Sequence, residues 1–149
     1  MLRIASGALV AAAVLVAAPA SGIAGALHAT KAATVQTRKV KKLGTILVNS
    51  KGRTLYMFVP DHQKKVTCKG QCAVIWPPLK VKKGQKPTAG GAAKQSKLGT
   101  DGRVVTYNRW PLYTYVSDTK AGQTSGQGVN NSGGKWYVLS PSGKVIKKK

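Results

Sequence analysis

Acid is what this 149-residue sequence lacks. It has no glutamate, and its only carboxylate side chains are Asp61, Asp101 and Asp118, against 25 lysines and arginines, for a formal charge of +22. Three acids serve carboxylate-pair catalysis poorly, and they serve a carboxylate-rich calcium or magnesium cage no better, because hard cations want several oxygen ligands in one place. Histidine is scarce too, with His28 and His62 alone. His62 is the obvious candidate for an enzyme, but it follows Asp61 directly, and neighbours on a strand point in opposite directions. Cysteine occurs twice, at Cys68 and Cys72, with no second Cys or His pair to complete a closed zinc site and no C-x-x-C-H haem attachment. No catalytic residue, metal or cofactor is assigned, and a non-enzymatic protein is expected.

Long apolar runs are missing as well. The longest, Ile4 to Ala18, falls short of the ~20 residues a spanning helix needs. With Arg3 before it and small residues after it, the run has the layout of a secretory signal peptide. Residues 1–29 are therefore read as a signal, with cleavage between 20 and 29 at Ala18-Pro19-Ala20, Ala24-Gly25-Ala26 or Leu27-His28-Ala29. No cysteine lies there to take a lipid. No later segment could span a membrane, so the mature protein is expected to be secreted, outside the cytoplasm. Residues 30–42 read as a basic spacer and 147–149 as a basic tail.

What is abundant is lysine, at twenty against five arginines. Such a charge attracts polyanions through salt-dependent contact and counterion release. Outside a cell the matching partners are anionic cell-wall polymers and other extracellular polyanions. The lysines are scattered and accompany no nucleic-acid motif, so no specific nucleic acid is expected. A purely solubilising surface is an equal reading of the same charge, and the oligomeric state is left open.

Short β-branched or aromatic runs separated by turn sequences fill the chain from Gly44 onward. Gly44–Val48 and Arg53–Val59 flank Asn49-Ser-Lys-Gly52, Arg103–Tyr107 and Leu112–Val116 flank Asn108–Pro111, and Lys135–Leu139 and Lys144–Ile146 flank Pro141-Ser-Gly143. No segment after the signal has a sustained helical period. The expected fold is all-β, a small antiparallel sheet or barrel-like fold built from a duplicated, hairpin-containing repeat. The duplication is explicit: Leu55-Tyr56-Met57-Phe58-Val59-Pro60-Asp61 aligns with Leu112-Tyr113-Thr114-Tyr115-Val116-Ser117-Asp118, and a tryptophan follows each, Trp76 and Trp136. The copies cover about 43–79 and 98–146, with a polar linker at 80–97.

The motif has readable physics. Tyr56 and Phe58, like Tyr113 and Tyr115, are two residues apart and share one strand face. Asp61 and Asp118 arrive as their strands end, where a carboxylate can accept turn N–H groups. Tyr56, Phe58, Trp76, Tyr113, Tyr115 and Trp136 are the expected bulk of the core, with the two aspartates pinning equivalent turns; a binding role for the motif is the alternative. The cysteine pair in an exported chain is read as a Cys68–Cys72 disulfide, ahead of a redox dithiol and, third, a metal pair.

Together with Cys68-x-Gly70-x-Cys72-Ala73-x-x-Trp76-Pro77-Pro78, Thr106-Tyr107-Asn108, Pro111-Leu112-Tyr113, Gly126-Gln127-Gly128 and Gly134-x-Trp136-Tyr137, this motif resembles the bacterial secreted repeat of unknown function, the predicted lipoproteins named for Tyr-x-(Phe/Trp/Tyr)-x-x-Asp. The resemblance spans roughly 43–146 and implies an extracytoplasmic duplicated domain without an established activity. This chain departs from lipoprotein members in having no lipidation cysteine. The functional expectation is a secreted cell-envelope or extracellular binding or structural module that associates with polyanions. The alternative is an extracytoplasmic redox or electron-transfer accessory using Cys68/Cys72 or a bound cofactor.

Overall fold

The computed structural model describes residues 34–62 and 65–148. The expected signal, 1–29, lies outside them. Nine short strands carry the fold: β1 (Val35–Val40), β2 (Gly44–Asn49), β3 (Tyr56–Phe58), β4 (Leu98–Asp101), β5 (Val104–Tyr107), β6 (Trp110–Pro111), β7 (Asn130–Asn131), β8 (Gly134–Leu139) and β9 (Val145–Ile146). One short helix, α1 (Gln71–Ile75), leads into Trp76. All strand pairs within the sheets are antiparallel: β1 with β2, β4 with β5 and β6, and β8 with β3, β7 and β9. The all-β expectation holds, but among the described residues these sheets are not joined into a closed barrel. No described helix is long and apolar enough to cross a membrane.

The continuous apolar runs have a simple cause. The inner strands are covered on both faces, so the period of two sorts residues between two cores rather than between core and water. Leu47, Leu55, Met57, Tyr137 and Leu139 enter one core, and Ile46, Val48, Tyr56, Phe58, Trp136 and Val138 enter the other. The six expected aromatics thus belong to only one of two cores, and Tyr115 is half-buried at its border.

The two copies are related by a local twofold. Leu55 N–H donates to Leu47 O at 3.0 Å, and Leu112 N–H donates to Val105 O at 3.0 Å. At the centre the copies meet reciprocally, Tyr56 N–H on Tyr113 O (2.8 Å) and Tyr113 N–H on Tyr56 O (2.9 Å). From there the chains exchange partners. β3 of the first copy pairs with β8 of the second, Phe58 opposite Trp136. The tyrosine segment of the second copy pairs with the tryptophan segment of the first, through Thr114 N–H on Pro77 O (2.9 Å) and Val116 N–H on Ile75 O (3.1 Å). Pro77 and Pro78 lack N–H groups, which is why this last segment is extended but not a regular strand.

Two boundaries differ from the sequence reading. Residues 35–42, expected as spacer, form β1 and its turn, because Val35 is buried and the strand pairs along its whole length with β2. Lys42 carries the turn at φ 72°. The linker 80–97 is anchored at both ends: Lys80 bridges Val104, Val81 N–H donates to Arg103 O, and Val35 exchanges backbone bonds with Thr88 and Gly90. Between these anchors residues 82–86 are exposed.

The partner exchange predicts that a single proteolytic cut within residues 82–86 leaves the halves associated, with unchanged far-ultraviolet circular dichroism. Halves that part on size-exclusion without denaturant would contradict it.

Candidate functional site

The exchange brings the motif residues of both copies into one constellation. The rings of Phe58, Trp136, Trp76 and Tyr115 form a continuous stack. Successive centroids lie 4.2, 3.9 and 4.1 Å apart, with interplanar angles of 19°, 3° and 16°. Each tryptophan also meets a tyrosine edge to face, Tyr56 on Trp76 (5.5 Å, 80°) and Tyr113 on Trp136 (5.2 Å, 88°). Such pairs each add ~0.5–1.5 kcal/mol beyond the area they bury. The outer rings stack across the copies, and the edge-on tyrosines pack within them.

The carboxylates close the arrangement across the same axis. Tyr56 donates its phenolic hydrogen to Asp118 Oδ2 at 2.6 Å, and Tyr113 donates to Asp61 Oδ2 at 2.6 Å. Asp61 Oδ1 accepts from Thr67 N–H (2.8 Å) and Thr67 Oγ1 (2.6 Å), and Asp118 Oδ1 accepts from Ser125 N–H (2.9 Å). The aspartates are 0% and 1% exposed. Each therefore does two things: it ties the loop that follows its strand, and it takes the tyrosine of the other copy.

Burial is the main cause that raises the Tyr56 and Tyr113 phenols far above their ordinary value, and the hydrogen bonds to Asp118 and Asp61 add to it. Tyr56 Oη also accepts from Gly126 N–H at 3.2 Å, which acts in the opposite direction.

Several participants lie outside the Tyr-x-aromatic-x-x-Asp motif. Asn131 satisfies both indoles, Trp76 Nε1 through its side-chain oxygen and Trp136 Nε1 through its carbonyl, each at 3.1 Å. Gly126 must be glycine for room: a Cβ there would come within 2.8 Å of Trp76 Cη2 and 2.9 Å of Tyr56 Cζ. Gln127 clamps two elements, accepting from Val138 N–H (2.9 Å) and donating to Ile146 O (2.6 Å). The Gly126-Gln127-Gly128 stretch, one of the segments that carry the resemblance, is thus part of the packing. Its glycines and glutamine were the available signal; Asn131 had none.

Cys68 and Cys72 are bonded, with Cα atoms 5.3 Å apart. Cys68 is buried one residue after Thr67, and Cys72 lies in α1, so the bridge ties the Asp61 loop to the helix that delivers Trp76. His62 stands exposed in the left-handed conformation at the end of a 3-10 turn. It does not join Asp61, whose oxygens face Thr67 and Tyr113.

Two predictions follow from the crossed pairs. In double-mutant cycles, Tyr56→Phe with Asp118→Asn should show a coupling of about 1.5–3 kcal/mol, the range for a hydrogen bond to a charged group. Tyr56→Phe with Asp61→Asn should couple by less than about 0.5 kcal/mol, although these residues share one copy of the motif. The phenols give a pH dependence. Their folded pKa lies above the unfolded one, so the stability they lend is complete below the ordinary tyrosine range and falls as pH rises through and beyond it. Ultraviolet titration should show two of the five tyrosines ionising only as the chain unfolds. Smooth titration of all five in the folded protein would contradict the pairing.

A family model described as a secreted repeat of unknown function matches residues 37–80 and 95–140. The first stretch contains Tyr56, Phe58, Asp61 and Trp76, and the second contains Tyr113, Tyr115, Asp118 and Trp136. No curated protein and no solved structure matches the chain. With a match over both copies, this chain belongs to the family of secreted repeats of unknown function, and it is an extracytoplasmic protein.

Proposed function

We propose that the chain is a non-enzymatic extracellular module that associates with anionic polymers of the cell envelope through its lysine-rich surface. The observation that carries this reading is where the acids point. Asp61 and Asp118 are buried, and Asp101 accepts from Val66 N–H at 3.1 Å. Among the described residues, the hydrogen bonds these three carboxylates accept come from a backbone N–H or a hydroxyl, and none comes from a lysine or arginine. The lysines and arginines of the described residues are therefore left without carboxylate partners, and most of them are exposed. Lys41 and Lys42 at the β1–β2 turn line a shallow cleft of about 230 Å³ with Leu43, Thr124 and Gln127, a place where anionic groups would meet two ammonium groups at once.

The test is binding of the mature chain to an immobilised polyanion such as polygalacturonate across a salt series. Affinity should fall steeply, roughly tenfold or more between about 50 and about 200 mM salt, and Lys41→Gln with Lys42→Gln should make the dependence shallower. Affinity that does not change with salt, or no affinity at low salt, would overturn the proposal.

A further inference from the structure

The four-ring stack is symmetric in its order but not at its ends. At one end Phe58 is sealed, only 3% exposed. Pro60 and Gly134 close over it, so tightly that a Cβ on Gly134 would lie 2.5 Å from Pro60 Cγ and 2.9 Å from Phe58 Cε2. At the other end the same motif position holds Tyr115, which is half-buried and stacked on Trp76. Its hydroxyl has no hydrogen-bond partner among the described residues. The position matching Pro60 is Ser117, which is exposed and carries no ring to close over the stack.

The two segments that meet at Tyr115 carry exposed apolar side chains. Val116 is 51% exposed and Val74 is 62% exposed, the largest values among the bulky apolar side chains of the described residues. Val116 N–H donates to Ile75 O at 3.1 Å, which places the segment carrying Tyr115 beside the end of α1 that carries Val74. Val59, the counterpart of Val116, is also exposed, but the ring next to it is covered. One end of an otherwise closed stack therefore offers a ring, backed by three more rings, to whatever lies outside.

We infer that Tyr115, with Val74 on the adjoining segment, is a stacking platform for one sugar ring of an anionic glycan. This rests on the polyanion reading above and deepens it. Charge selects the class of ligand: a second copy of a chain with formal charge +22 is repelled, and an anionic ligand is attracted. Lys69, just ahead of α1, and Lys120, just past Asp118, are exposed on the two segments that form the platform and are suited to carboxylate or phosphate groups on the polymer. Shape narrows the choice. A single aromatic face with one small apolar neighbour matches one ring, whereas single-stranded nucleic acid is held by successive stacked bases. Two side chains are also too little apolar surface to anchor to a lipid bilayer.

The experiment compares two anionic probes on the full mature chain: polygalacturonate, whose charges sit on sugar rings, and inorganic polyphosphate, which has none. Wild type should bind polygalacturonate more tightly at matched charge. Tyr115→Ala should weaken polygalacturonate by about tenfold and leave polyphosphate unchanged. Tyr115→Phe should keep both, because the ring face does the work. Val74→Asp, at an exposed position outside the stack, should weaken polygalacturonate with no change in melting temperature, which separates binding from folding. If Tyr115→Ala and Val74→Asp bind polygalacturonate as wild type does, the platform is wrong while the charge reading stands. If wild type binds neither polymer at low salt, the charge reading and the platform fail together. Single-stranded DNA that binds more tightly than polygalacturonate, and loses more on Tyr115→Ala, would assign the platform to a nucleobase and overturn the glycan.

Discussion

Asp61 and Asp118 are held out of water in a protein that could have paired them with lysines many times over. A buried carboxylate is tolerated only when hydrogen-bond donors replace its hydration. Here the last of those donors is always the tyrosine of the other copy. That requirement orders much else. To bring Tyr56 to Asp118 and Tyr113 to Asp61, the central tyrosines must meet on the local axis, and β3 must pair with β8. Trp76 and Trp136 then stack face to face at 3.9 Å. The disulfide acts on the same frame, linking the Asp61 loop to the approach to Trp76, while Gly126 lets the second copy press directly on the Trp76 ring.

Charge is divided along the same line. Asp61 and Asp118 spend their oxygens on phenols, hydroxyls and backbone amides inside, and among the described residues no lysine or arginine donates to a carboxylate. The core is specified by uncharged packing and directed hydrogen bonds, and it holds against the mutual repulsion of the lysines outside. A surface built from paired ions would have tied stability and ligand attraction to the same salt dependence. Here salt weakens ligand attraction while it screens the repulsion among the lysines, so the two respond in opposite directions.

Much of this was legible in the chain. The matched Tyr-x-aromatic-x-x-Asp segments gave the duplication and the shared strand face, the turn residues gave the β8–β9 hairpin, and the exported cysteine pair gave the bridge. The crossing of partners was not legible, because the two copies are so alike that Tyr56 could equally have been assigned Asp61. Only the fold distinguishes the copies. β1 was missed for another reason: Val35–Val40 reads Val-Gln-Thr-Arg-Lys-Val, and this strand has a single fully buried side chain, Val35. Its pairing depends on backbone groups, which carry no sequence signal. Asn131 is chosen by the meeting of two indoles from different copies, and nothing around it in the sequence anticipates that.

The exchange of β3 and the tryptophan segments also sets what counts as the smallest folding unit. One copy alone would leave a tyrosine without its acid, an acid without its tyrosine and a tryptophan without its stack. It could complete these only by finding a second copy, at a rate and extent set by concentration. Joining the copies through 80–97 makes that encounter intramolecular, at an effective concentration fixed by the length of the connection rather than by how much protein is present. For a protein exported and diluted outside the cell, this means that its fold survives dilution.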